Sequence, residues 1–125
     1  MPIVEIAALP QRAHVNVART LESVSSELAK VLGVRPQAVK AIWTSLPPNH
    51  YAEGGAAAAE QPPRTHPPLA SITALSGRPP ELIEKAIACV AEALAKELGL
   101  PLENLLVVYH EIPPGRLFTN GALKR

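Results

Sequence analysis

The sequence predicts an α/β (α+β) fold in which two tandem βαβ units share one four-stranded mixed sheet, with two helices on one face. Three observations predict it: a repeat spanning most of the chain, an amphipathic stretch in each copy, and an apolar run closed by Pro-Pro after each such stretch. At 125 residues the chain suits one domain with a real core and is too short for two independent enzymes.

Residues Pro2 to Leu9 align with Pro68 to Leu75, a shift of 66 positions (68 − 2). The same shift carries Arg12 onto Arg78, Val24 onto Val90, Leu32-Gly33 onto Leu98-Gly99, Pro47-Pro48 onto Pro113-Pro114 and Gly55 onto Gly121, without a gap. An ungapped match of this length with Gly and Pro landmarks marks a tandem duplication. The first unit is assigned to 2–55, a surface linker to 56–67 and the second unit to 68–121.

Each unit opens with a strand, over 3–9 and 69–75, rich in β-branched and apolar residues. A helix follows. Val17, Leu21, Val24, Leu28 and Leu32 recur at helical spacing in the first copy, as do Ile83, Ile87, Val90, Leu94 and Leu98 in the second. Gly33 and Gly99 stand where a left-handed C-cap belongs, and Pro79 suits a first helical turn. The runs Val39 to Leu46 and Leu105 to Ile112 are second strands, so each unit is a parallel pair joined by a crossover helix. With both helices on one face, the other sheet face, with residues such as Ile3, Ile42 and Val108, is too apolar to stay wet. Oligomerisation through the sheet follows.

Composition narrows the function classes. The formal net charge is +1 with scattered Lys and Arg, which gives no footprint for nucleic acid or an anionic membrane. No apolar stretch approaches the roughly 20 residues of a membrane span. The lone Cys89 forms no internal disulfide and reads as helix packing, and a cytoplasmic location is expected. His14, His50, His66 and His110 are dispersed without metal-ligand spacing, so no metal site is expected. Trp43 and Tyr109 occupy equivalent strand positions and read as packing or subunit contacts.

A chain that continues Pro-Ile-Val-Glu-Ile behind Met1, then Arg12, an amphipathic helix, a strand and a Gly-containing turn, resembles 4-oxalocrotonate tautomerase. In that family a subunit is one βαβ unit. This chain is similar to the fused two-unit members of the tautomerase superfamily, of macrophage-migration-inhibitory-factor-like layout, which assemble as trimers. The resemblance implies a keto–enol isomerase without a cofactor, acting on a small 2-oxo or 2-hydroxy-dienoic acid. Its partners would be that carboxylic acid and copies of itself.

The chemistry gives Pro2 its task. Initiator methionine is removed when proline follows, which leaves the Pro2 nitrogen as a secondary amine at the head of a strand. An apolar pocket and cationic neighbours lower the pKa of such an amine toward neutrality, the condition for a general base. Pro68 is internal, so its nitrogen is an amide. The resemblance further implies cations for the substrate carboxylate and for the developing oxyanion. Carried over, these are Arg12 and Arg78 after the first strands, with Arg78 nearest Pro2, and Lys40, where the family has arginine and the second copy has Leu106. Lysine keeps the charge without the bidentate fork. The family's aromatic position falls on Tyr51, and in the second copy on Leu117, flanked by Arg116 and Phe118. Arg116 is the candidate for the missing cation.

Two other readings keep the fold and change the chemistry. A dehalogenase, hydratase or decarboxylase would use Pro2 as a general acid and need a water activator, for which Glu5 and Glu111 are the carboxylates at strand positions. A chain that retains Met1 would be an inactive structural homologue, because its Pro2 nitrogen is an amide.

Overall fold

The computed structural model describes residues 1–125. Strand β1 (Pro2–Ala8), helix α1 (Val17–Leu32) and strand β2 (Lys40–Ser45) form the first unit, which ends in a hairpin of β3 (Ala52–Glu53) and β4 (Ala56–Ala57). The second unit repeats the plan with β5 (Leu69–Leu75), α2 (Pro80–Leu98), β6 (Leu106–Ile112) and a hairpin of β7 (Leu117–Thr119) and β8 (Ala122–Lys124). Single 3-10 turns at Pro36–Ala38 and Leu102–Asn104 lead into β2 and β6.

The main sheet has the order β2-β1-β5-β6. β1 runs parallel to β2, with Ile3 opposite Lys40, and β5 runs parallel to β6, with Leu69 opposite Leu106. The two units meet antiparallel, Pro2 opposite Ala74 and Ala7 opposite Leu69. This central antiparallel pair makes the sheet mixed and sets the start of one unit against the end of the other's first strand.

Period-2 alternation decides which face is covered. Val4, Ile6 and Ala8 of β1 and Ala70, Ile72 and Ala74 of β5 are buried on one face, where they meet Val24, Leu28 and Leu32 of α1 and Val90, Leu94 and Leu98 of α2. Fully burying a side chain such as Ile72 or Leu94 stabilises the fold by about 1.5–3 kcal/mol. The helical stripe lies slightly off the expected one: Thr20 and its counterpart Ala86 are buried, whereas Val17, Ile83 and Ile87 are only half-buried. Thr20 tolerates burial because its hydroxyl donates to the Asn16 carbonyl at 2.9 Å. Both helices end on a left-handed glycine, Gly33 and Gly99, each at φ 65°. Pro79 is the N-cap of α2, and Pro80 takes the first helical position that Pro79 was expected to hold.

The other sheet face is open. Ile42, Leu69, Leu106 and Val108 leave 37–51% of their surface exposed there. No helix is long and apolar enough to cross a membrane.

The hairpins extend the duplication. Gly54-Gly55 and Asn120-Gly121, equivalent under the repeat, all have φ between 52° and 79°, the pattern of a type I′ turn. The first hairpin takes Ala56 and Ala57 out of the expected linker. What remains folds against the body through buried polar side chains. The Gln61 amide N–H groups reach the carbonyls of Pro62, Thr65 and His66 at 2.9–3.2 Å, and Asn104 donates to Pro62 and Thr65. Gln61→Ala strands these acceptors and is expected to cost about 2 kcal/mol, measurable as a lower urea midpoint with an unchanged m-value.

Candidate active site

Sheet topology brings three functional candidates to one end. β1 begins at Pro2, β2 begins at Lys40 beside Ile3, and β5 ends beside Pro2 and leads through Ser76-Gly77 to Arg78. The Pro2 ring is fully buried, which fixes the position of its nitrogen. Around this end lies a pocket of about 610 Å³. Met1, Ile3 and Leu75 contribute from the sheet, Arg35, Gln37, Ala38 and Lys40 from the turn into β2, and Leu117 to Asn120 with Lys124 from the C-terminal hairpin.

The pocket is cationic and its charges are unpaired. The chain's three ion pairs, Arg12–Glu60 at 3.2 Å, Arg19–Glu97 at 3.7 Å and Lys30–Glu27 at 3.3 Å, all leave it untouched. Neither carboxylate nor imidazole lines it. Lys40 Nζ donates to the Gln37 carbonyl at 3.1 Å, which holds the ammonium without neutralising it. The amino terminus, here on Met1, feels these surroundings: burial lowers its pKa most, and Lys40, Arg78 and Lys124 lower it further. A basic group at this end is therefore deprotonated more easily than a free amine, and an anion entering the pocket meets cations with no competing counterion.

Arg12 and Tyr51 are carried to the opposite end. Arg12 follows the end of β1, pairs with Glu60 and lines a separate groove with His14 and Trp43. Tyr51 donates its hydroxyl to the Pro67 carbonyl at 2.7 Å and packs edge-on against His66, 5.1 Å between ring centres. That end holds Pro68, the counterpart of Pro2, and there the chain itself fills the space. His66 is buried between Thr65 and the Ala56 carbonyl, and Gln61 and Asn104 bind the surrounding backbone. Arg116 is exposed, its guanidinium near its neighbour's carbonyl at Gly115, outside the pocket lining.

Lining residues without a role in the sequence-based expectation include Arg35, Asn120 and Lys124. Copy asymmetry marks two of them. Under the 66-residue shift Arg35 corresponds to Pro101 and Lys124 to Ala58, just as Lys40 corresponds to Leu106. These three cations have no charged counterpart in the other copy.

The remaining candidates lie elsewhere. Glu5 faces the open sheet side, in a groove with Thr44 and Leu69. Glu111 stands opposite Ala74, two strands away from Pro2, roughly 10 Å at ordinary strand spacing. Burial, with Glu27 and Glu92 nearby, pushes the Cys89 thiol above its usual range, so it stays protonated at neutral pH.

No family model and no curated protein sequence matches the chain. Solved structures match it along nearly its whole length. Native fused 4-OT superposes with a TM-score of 0.82 at 24% identity, over 97% of this chain and 94% of that one. A fused 4-OT asymmetric trimer gives 0.81 at 20% identity, over 97% and 94%. A member of the cis-3-chloroacrylic acid dehalogenase family gives 0.74 at 19% identity, over 97% and 83%. The two βαβ units, their antiparallel junction and the pocket at Pro2 are thus set in the fold of fused 4-OT.

Proposed function

We propose that the chain is a cofactor-independent keto–enol tautomerase acting on a small 2-oxo or 2-hydroxy-dienoic acid. Its base is the Pro2 nitrogen, freed by removal of Met1. The observation that carries this reading is the terminal amine in a pocket of unpaired cations lined by no carboxylate or imidazole. Neither carboxylate nor imidazole competes with an amine freed there for the proton.

In the reaction the free Pro2 nitrogen takes the proton of the enol hydroxyl, and negative charge spreads over the conjugated acid. Arg78 holds the carboxylate next to the reacting oxygen and stabilises the developing oxyanion, while Lys40 holds the carboxylate at the acid's other end. The protonated proline then returns the proton to carbon, which regenerates the base and leaves the keto acid. Apolar Ile3, Leu75 and Leu117 flank the conjugated chain. Hydrolytic chemistry would need a group to activate water, and Glu5 and Glu111 stand outside the pocket.

Assembly enters the same reading. The open sheet face with Ile42, Leu69, Leu106 and Val108 is covered by other copies of the chain, in threes, as in the fused 4-OT trimers. Sedimentation at micromolar concentration is expected to give a trimer; a monomer would contradict it.

The site assignment is tested by labelling. One similar structure, of Pt0534, was solved after inactivation by 2-oxo-3-pentynoate. That reagent is expected to abolish turnover of phenylenolpyruvate here and to add one adduct per chain, mapped to residue 2. An adduct elsewhere, or inactivation without one, would count against the Pro2 nitrogen.

A further inference from the structure

We propose that Lys124 is a substrate-binding residue that takes one carboxylate oxygen of the acid while Lys40 takes the other, so that the C-terminal hairpin is a working wall of the site. This rests on the tautomerase reading for the identity of the acid.

Lys124 lines the same pocket as Met1 and Lys40. It is the last residue of β8, paired with Leu117 of β7, and its carbonyl accepts the Gly115 N–H at 2.7 Å. The Asn120-Gly121 turn, with φ of 52° and 75°, sets the register of this hairpin and hence the side of it on which Lys124 stands. Lys124 is half-buried, while Leu123 and Arg125 on either side are exposed.

Lys124 has no acidic partner, unlike Arg12, Arg19 and Lys30. Its counterpart in the first hairpin is Ala58, and the counterpart of Lys40 is Leu106, so the two ammonium groups occur together at the Pro2 end alone. A carboxylate presents two oxygens, which one guanidinium fork engages at once and one ammonium does not. Two lysines on different elements restore that two-point grip.

The test compares wild type with Lys124→Met, Lys124→Arg and, as a control for net charge, the exposed helix residue Lys96→Met. Two readouts are taken: kinetics with 2-hydroxymuconate, and calorimetric binding of adipate, a dicarboxylate that does not isomerise. Lys124→Met is expected to raise KM and the adipate Kd each about tenfold with kcat changed less than about threefold. Lys124→Arg should recover most of the loss, and Lys96→Met should match wild type. Unchanged KM and adipate affinity in Lys124→Met would overturn the proposal, as would equal losses in the Met and Arg variants, because charge would then not be the cause. Should wild type fail to turn over, the base assignment falls while the adipate arm still decides Lys124.

Discussion

Pro2→Ala is expected to lower kcat/KM for 2-hydroxymuconate by about two orders of magnitude or more, within the range of a lost general base. Alanine keeps an amine at the terminus but loses the ring that is fully buried at the start of β1, and with it the fixed direction of the nitrogen lone pair. The pH profile carries the signature. Burial first, then Lys40, Arg78 and Lys124, lower the pKa of the Met1 amine at this end; the same surroundings act on a freed Pro2 amine, and the base acts only when unprotonated. The rate therefore rises with pH through that depressed pKa and levels above it. Removing a neighbouring cation raises the pKa, so the acid limb moves to higher pH and activity at neutral pH falls.

Arg78→Leu is expected to lower kcat/KM about a hundredfold, in line with losing one group that stabilises developing negative charge. Arg78 comes to this end of the sheet because β5 ends beside Pro2, and although it lies outside the pocket lining its charge acts on the Met1 amine. Two effects add in this variant: a weaker hold on the carboxylate, seen in KM, and a raised amine pKa, seen as an upward shift of the acid limb. Arg78→Lys separates them. It restores the charge, and so the pH profile, but not the planar fork, so much of the KM defect should persist. Steady-state kinetics across pH on the three proteins check both effects.

Much of this was legible in the sequence because a duplication states its own architecture. The repeat identified the strands, Gly33 and Gly99 closed the helices, and the Pro-Pro pairs closed β2 and β6. The expected helical stripe was slightly off at its ends because Thr20 satisfies its own hydroxyl and can be buried, which a hydrophobicity pattern does not register. The hairpins were readable from Asn120-Gly121 and Gly54-Gly55, but the unit bounds at 55 and 121 fell on the turns themselves and left β4 and β8 outside. The linker itself is tied down by Gln61, His66 and Asn104, side chains that look solvent-bound until the carbonyls they serve are in place.

The site was half legible for a related reason. A repeat tells which residues are equivalent; it does not tell which equivalents share an end of the sheet. The antiparallel β1–β5 pairing decides that, sending Arg78 to Pro2 and leaving Arg12 and Tyr51 beside Pro68. Lys124 and Arg35 needed the folded chain, since nothing local links the C-terminal hairpin to the turn before β2. The asymmetry between copies is the sequence signal that points to them.

The Pro2 nitrogen, as a free amine, is the proposed base. Intact mass paired with phenylenolpyruvate turnover tests it most directly, on the Met1-free chain and on the same chain carrying Met1. Turnover confined to the Met1-free form is the predicted result; equal rates in the two forms would contradict it.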